Sequence, residues 1–106
     1  MTLDVSYHPE ALAELRADVG WYEARGIGLG DRFESSVDDV LDALVEWPES
    51  GAVWPGWDRI PVVRSRRLVD FPYRLVYIVQ PGVLVVVALA HQKRKPGYWR
   101  DRVAST

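Results

Sequence analysis

The 106-residue chain has no cysteine, one methionine and two histidines. The first absence excludes disulfides and thiolate metal sites. It also suits a reducing compartment, so a cytoplasmic location is expected. His8 and His91 have no ligand-like spacing, so neither a metal site nor a cofactor is expected. No basic stretch followed by an apolar run opens the chain, and no signal peptide is expected. The longest apolar run, Val83 to Ala90, is far too short to span a bilayer. There is no internal repeat and no low-complexity tract, and the length suits one domain over residues 1–106.

What is abundant is charge, unevenly placed. Residues 1–58 carry three basic groups against thirteen acidic ones, and residues 59–106 carry ten against two, within a whole-chain net charge of −2. A split of this size points to a positive face meeting an anionic partner, or to opposite charges facing each other across the fold. The basic residues are interleaved with aromatics, which favours the first reading.

The pattern predicts a β-α-α-β-β-β order. Leu3, Val5 and Tyr7 alternate with polar residues as in a short strand. Pro9 suits the first turn of a helix, and Leu12, Leu15, Val19 and Tyr22 recur at helical spacing. Gly26, Gly28 and Gly30 end it. A second helix is expected from Asp31 to Trp47, with Asp31 as N-cap, Glu34 completing a capping-box-like pair, and Phe33, Val37, Leu41 and Leu44 as its apolar stripe. Asp38, Asp39 and Asp42 read as a solvated helix face. Residues 48–58 read as a loop holding Trp54 and Trp57. Strands are expected at 62–69, 73–79 and 83–91, the last two antiparallel across Pro81-Gly82 and the last central in the sheet. The fold class is therefore two-layer α+β: an antiparallel helical hairpin over a four-stranded, largely antiparallel sheet.

Three constellations could carry function. Alternation puts Arg64 and Arg66 on one face of a strand and Arg67 on the other, either as a charged edge that discourages aggregation or as anion contacts. In a symmetric hairpin centred on Pro81-Gly82, Arg74 lies opposite Leu89. His91 then shares its face, a pair suited to acid–base work on a phosphodiester; the plainer reading of His91 is a structural hydrogen bond at a strand end. The segment His91-Gln92-Lys93-Arg94-Lys95-Pro96-Gly97-Tyr98-Trp99 suits phosphate contact with base stacking, or a protein interface. One of Tyr98 and Trp99 is expected to fold back and close the core beneath the helices.

Taken in order, the opening strand with His-Pro-Glu-Ala, then Trp-Tyr-Glu, Leu-Gly-Asp-Arg-Phe, FPYRLVY at 71–77 and HQKRKPGYW at 91–99 resemble the ParE/RelE superfamily of bacterial toxins, over nearly the whole chain. The resemblance implies a type II toxin neutralised by a cognate antitoxin, a small protein with a disordered segment that folds onto it, and hence a hetero-oligomer. It implies one of two activities. RelE-like members cut ribosome-bound mRNA, for which Arg74, His91, Arg94 and Tyr98 would be the catalytic set. ParE-like members poison DNA gyrase, for which Arg64, Arg66, Arg67, Arg74, Lys93, Arg94, Lys95, Tyr98 and Trp99 would form the target-binding face. The paired lysines that nuclease members carry before the last three strands are missing, since residues 48–58 contain no basic group. That favours the gyrase reading; a toxin fold retained only as a protein-binding module is the third possibility. Trp54 and Trp57 are expected to line part of the antitoxin groove, or to pack across the sheet edge.

Overall fold

The computed structural model describes residues 2–105. Its elements are β1 (Asp4–Tyr7), α1 (Pro9–Glu23), α2 (Leu29–Glu46), β2 (Ala52–Val53), β3 (Arg64–Arg67), β4 (Tyr73–Gln80), β5 (Val83–His91) and a short α3 (Arg100–Val103). The strands form one sheet in the order β1-β5-β4-β3-β2. β1 runs parallel to β5 and every other pairing is antiparallel. The α+β architecture is as expected. The sheet has five strands rather than four because Ala52 and Val53, inside the predicted loop, pair with Ser65 and Arg64.

His8 caps α1 through its side chain, Nδ1 accepting from the Glu10 N–H at 3.1 Å, and Pro9 takes the first helical position. The second helix starts earlier than predicted, at Leu29, and Asp31 is not its cap. Gly28 occupies that position with φ 83°, a conformation open to glycine at no steric cost. The capping carboxylate comes from the other helix: Glu23 accepts from the N–H groups of Gly28 and Gly30, each at 3.1 Å. Asp31 lies in the first turn, where the helix dipole favours its charge.

Two apolar layers form, one on each side of the sheet. Phe33, Val37, Leu44, Leu75, Tyr77 and Leu84 lie beneath the helices. Val63, Val76, Ile78, Val87, Ala88 and Trp99 fill the opposite face. Trp99, wholly buried, therefore does fold back, but on the face away from the helices. Trp54 and Trp57 join it there, with ring centroids 4.9 and 5.9 Å from Trp99.

The β4–β5 hairpin turns through Pro81-Gly82 with Gln80 opposite Val83 and Gly82 at φ 76°. Pairing then slips by one residue: Tyr77 lies opposite Val86 but Val76 lies opposite Ala88, leaving Val87 as a bulge. This corrects the expected register. Arg74 faces Ala90 rather than Leu89, and His91 faces Tyr73. Arg74 and His91 thus project to opposite faces of the sheet, because one extra residue inverts every side chain beyond it.

Candidate functional site: a basic groove closed by a buried ion pair

β1 pairs with β5 only as far as Val86. Beyond that point the outer edge of β5 has no strand to satisfy it, and buried backbone polar groups need partners. Side chains supply them. Glu14 of α1 accepts from the Leu89 N–H at 3.1 Å, and Arg102 of α3 donates from Nη1 to the bulge carbonyl of Val87 at 3.1 Å. The two then join each other: Nη1 donates to Oε1 at 2.9 Å and Nη2 to Oε2 at 3.0 Å. Their side chains are 13% and 10% exposed, so the pair acts where water screens it little. Burial alone would lower the Arg102 pKa, but the bonds and charge of Glu14 outweigh it and hold the guanidinium more firmly protonated than usual.

Glu14 also anchors the C-terminal loop. The Tyr98 hydroxyl donates to its Oε2 at 2.6 Å, and Arg94 lies 3.9 Å from the same oxygen with its guanidinium stacked 3.9 Å over the Tyr98 ring. Burial, then the bond to Glu14, pushes the Tyr98 hydroxyl well above the ordinary phenol range. It is held as a donor to a carboxylate and is a poor proton carrier. Sequence reading missed Glu14 as the hub, because an acidic residue on the flank of an amphipathic helix carries no local mark of a partner 88 positions away.

Beside this anchor, where β4 begins and β5 ends, lies a cavity of about 260 Å³. Arg67, Arg74, Arg94 and Lys95 supply its cations, and Trp54, Pro72 and Tyr98 supply ring surface. Arg67 and Arg74 are cross-strand neighbours, both exposed. Arg74 makes one long bond, Nη1 to Ser65 Oγ at 3.4 Å. Among the described residues the ion pairs belong to Arg94 and Arg102 alone, so Arg67, Arg74 and Lys95 keep their charge for a partner. The Trp99 indole N–H at the cavity wall has no acceptor among the described residues.

The other residues singled out from sequence lie elsewhere. Arg64 and Arg66 project to the helix side and hold the α2–β2 turn: Arg64 Nη1 donates to the carbonyls of Glu49 and Gly51 at 3.2 and 2.9 Å, and Arg66 Nη1 to Ser50 Oγ at 3.3 Å. His91 lines the groove, but its ring meets Tyr73 edge-on, and its Nδ1 accepts from the Lys93 N–H at 3.0 Å, closing its own turn. Lys93 is exposed in that turn, outside the cavity lining. Trp54 and Trp57 are half-buried against Trp99. No group of three or more potential metal ligands occurs among the described residues, and no described helix is long and apolar enough to cross a membrane.

A strand, a helical hairpin and an open, largely antiparallel sheet in this order is a fold seen in bacterial toxins. The family model for the ParE toxin of type II toxin–antitoxin systems, parDE, matches residues 5–96, and the chain belongs to that family. A structure of the chromosomal ParDE toxin–antitoxin system from P. aeruginosa superposes with a TM-score of 0.65 at 18% identity, covering 85% of this chain and 96% of that one. A double-arginine mutant of the E. coli toxin RelE in its free state superposes with a TM-score of 0.59 at 19% identity, covering 98% and 93%. At these identities the two structures establish the shared fold. No curated protein sequence matches the chain.

Proposed function

We propose that this toxin acts by binding DNA gyrase through the basic groove, without chemistry of its own, in the cytoplasm, and that a cognate antitoxin neutralises it in a hetero-oligomer. One observation carries the reading: Arg74, His91, Arg94 and Tyr98 all line the groove, yet three of them are already engaged within the fold. Arg94 and Tyr98 are tied to Glu14, and the bulge puts Arg74 and His91 on opposite faces. General acid–base catalysis requires a proton-transfer group within hydrogen-bond reach of the reacting atoms. Here the Tyr98 hydroxyl is already donated, and the His91 Nδ1 is occupied by backbone. The remaining cations, Arg67, Arg74 and Lys95, suit recognition of an anionic surface.

The test is a supercoiling assay with purified toxin and gyrase. Inhibition, with accumulation of the cleaved gyrase–DNA complex, is expected. Supercoiling untouched at any dose, together with cleavage of mRNA on purified ribosomes, would replace this reading with the endoribonuclease one.

A further inference from the structure

Arg67 and Arg74 stand directly opposite each other where β3 pairs with β4. Like charges at such a cross-strand position destabilise a sheet. Neither arginine has an acidic partner among the described residues. The bond from Arg74 to Ser65 Oγ, at 3.4 Å, leaves its charge uncompensated. Lys95 lines the same cavity from the C-terminal loop, exposed and likewise outside the ion pairs of the described residues. Three uncommitted cations thus share one small space.

The extent of this patch selects the anion. On the helix side it ends in carboxylates: Glu14 lies 3.9 Å from Arg94, and Asp18 is close enough to His91 and Arg94 for its charge to interact with both. The whole chain carries a net charge of −2. A nucleic-acid strand draws its affinity from many phosphates along its length, and here it would run from three cations onto like charge. A single carboxylate needs no such length, and it matches the planar fork of a guanidinium with two parallel bonds. The cavity, about 260 Å³, has room for a few side chains, and Trp54 and Pro72 give it ring surface. An acidic side chain with an apolar neighbour satisfies both kinds of lining.

We infer that the groove seats a short acidic segment of gyrase, its carboxylate held by Arg67, Arg74 and Lys95 and the adjoining apolar side chain laid against Trp54. The inference rests on the gyrase reading under Proposed function and names the chemistry of the surface which that reading requires.

The test places a photo-crosslinking benzoylphenylalanine at Gln92, an exposed residue of the groove lining, in the full chain bound to gyrase and DNA. Mass spectrometry should map the crosslink to a gyrase segment carrying Asp or Glu beside an apolar residue. Arg67→Glu and Arg74→Glu, made separately, each turn the repelling pair into one of opposite charge. Each should therefore raise the melting temperature by about 2–4 °C while weakening inhibition of supercoiling about 30-fold, as for loss of a hot-spot arginine. Changing the crosslinked acid of gyrase to arginine should restore inhibition by the Arg74→Glu toxin. A crosslink to DNA, or to a segment without a carboxylate, overturns the inference. So does an Arg74→Glu toxin that inhibits like wild type but is no longer relieved by antitoxin, since the groove then serves the antitoxin. A lowered melting temperature overturns it too, by showing that the fold already employs the charge. Wild-type toxin that leaves supercoiling untouched removes the gyrase reading and this inference together. Wild-type inhibition with an undiminished Arg74→Glu variant removes this inference alone.

Discussion

Glu14 and Arg102 meet in a two-bond, end-on pair, 2.9 and 3.0 Å, across 88 positions of sequence. The pair stands where a strand would otherwise lie, because each partner also bonds the open edge of β5. The C-terminal helix is thereby fastened to α1, and the loop carrying Arg94 and Tyr98 is fastened with it.

Removing one partner should be costly. Glu14→Ala leaves the buried guanidinium with only the exposed Glu10, 3.4 Å from its Nε, as a counter-charge, and is expected to destabilise the chain by about 3 kcal/mol. Arg102→Met in the same background should recover part of that loss. Urea denaturation of the two single variants and the double variant measures the coupling. A cost under about 1 kcal/mol for Glu14→Ala would mean that the pair does not close the sheet edge.

Tyr98→Phe separates the two possible activities. It removes one bond to a carboxylate and should cost about 1.5–3 kcal/mol in denaturant titration. If the groove acts on gyrase as proposed, inhibition should survive wherever the variant is folded. Complete loss of toxicity in a folded Tyr98→Phe protein would argue for a chemical role of the hydroxyl.

Asp38 gives a pH signature. Burial raises its pKa above 3.8, and the carboxylates of Glu34, Asp42 and Asp39 raise it further. A raised carboxyl pKa favours folding below pH 3.8, and that contribution is lost as pH rises through the folded value. Asp38→Asn should therefore stabilise the chain at pH 7, by about 0.3 kcal/mol given how exposed the helix face is. The gain should vanish in melts below pH 3.8 and shrink with added salt. A gain unchanged at low pH would assign the effect to helix propensity.

Gly51 lies against Tyr77 so closely that a methyl group there would collide with the phenol hydroxyl and ring. Gly51→Ala should cost about 1–3 kcal/mol, the usual range for overpacking. It should also open the turn that Arg64 and Arg66 hold, visible as faster amide exchange at Ser50 and Gly51. Wild-type stability would show that the turn relaxes freely.

Local patterns carried most of the fold. The apolar stripe of Phe33, Val37, Leu41 and Leu44 marks α2 because helical spacing is written in adjacent turns, and the apolar run after Val83 marks an interior strand. What the sequence could not reveal depends on partners far along the chain. Gly28 displaced Asp31 as cap because Glu23, in the preceding helix, supplies the carboxylate. Ala52 and Val53 became a strand only because Arg64 and Ser65 offered an edge. In the groove, cation identity was legible, whereas the separation of Arg74 from His91 was not, since no residue between them announces a bulge.

That single unpaired residue, Val87, sets how this groove could change over generations. Point substitutions can alter which charges line it, yet they leave the parity of β5 intact. Bringing His91 to the side of Arg74 requires loss of the bulge, which slips every β5 residue beyond Val86 by one place against β4. Such a change would also turn Leu89 away from the helices and cut Glu14 and Arg102 loose from their backbone partners. The relative facing of Arg74 and His91 is therefore held by the core itself, because changing it means slipping the register of a buried strand.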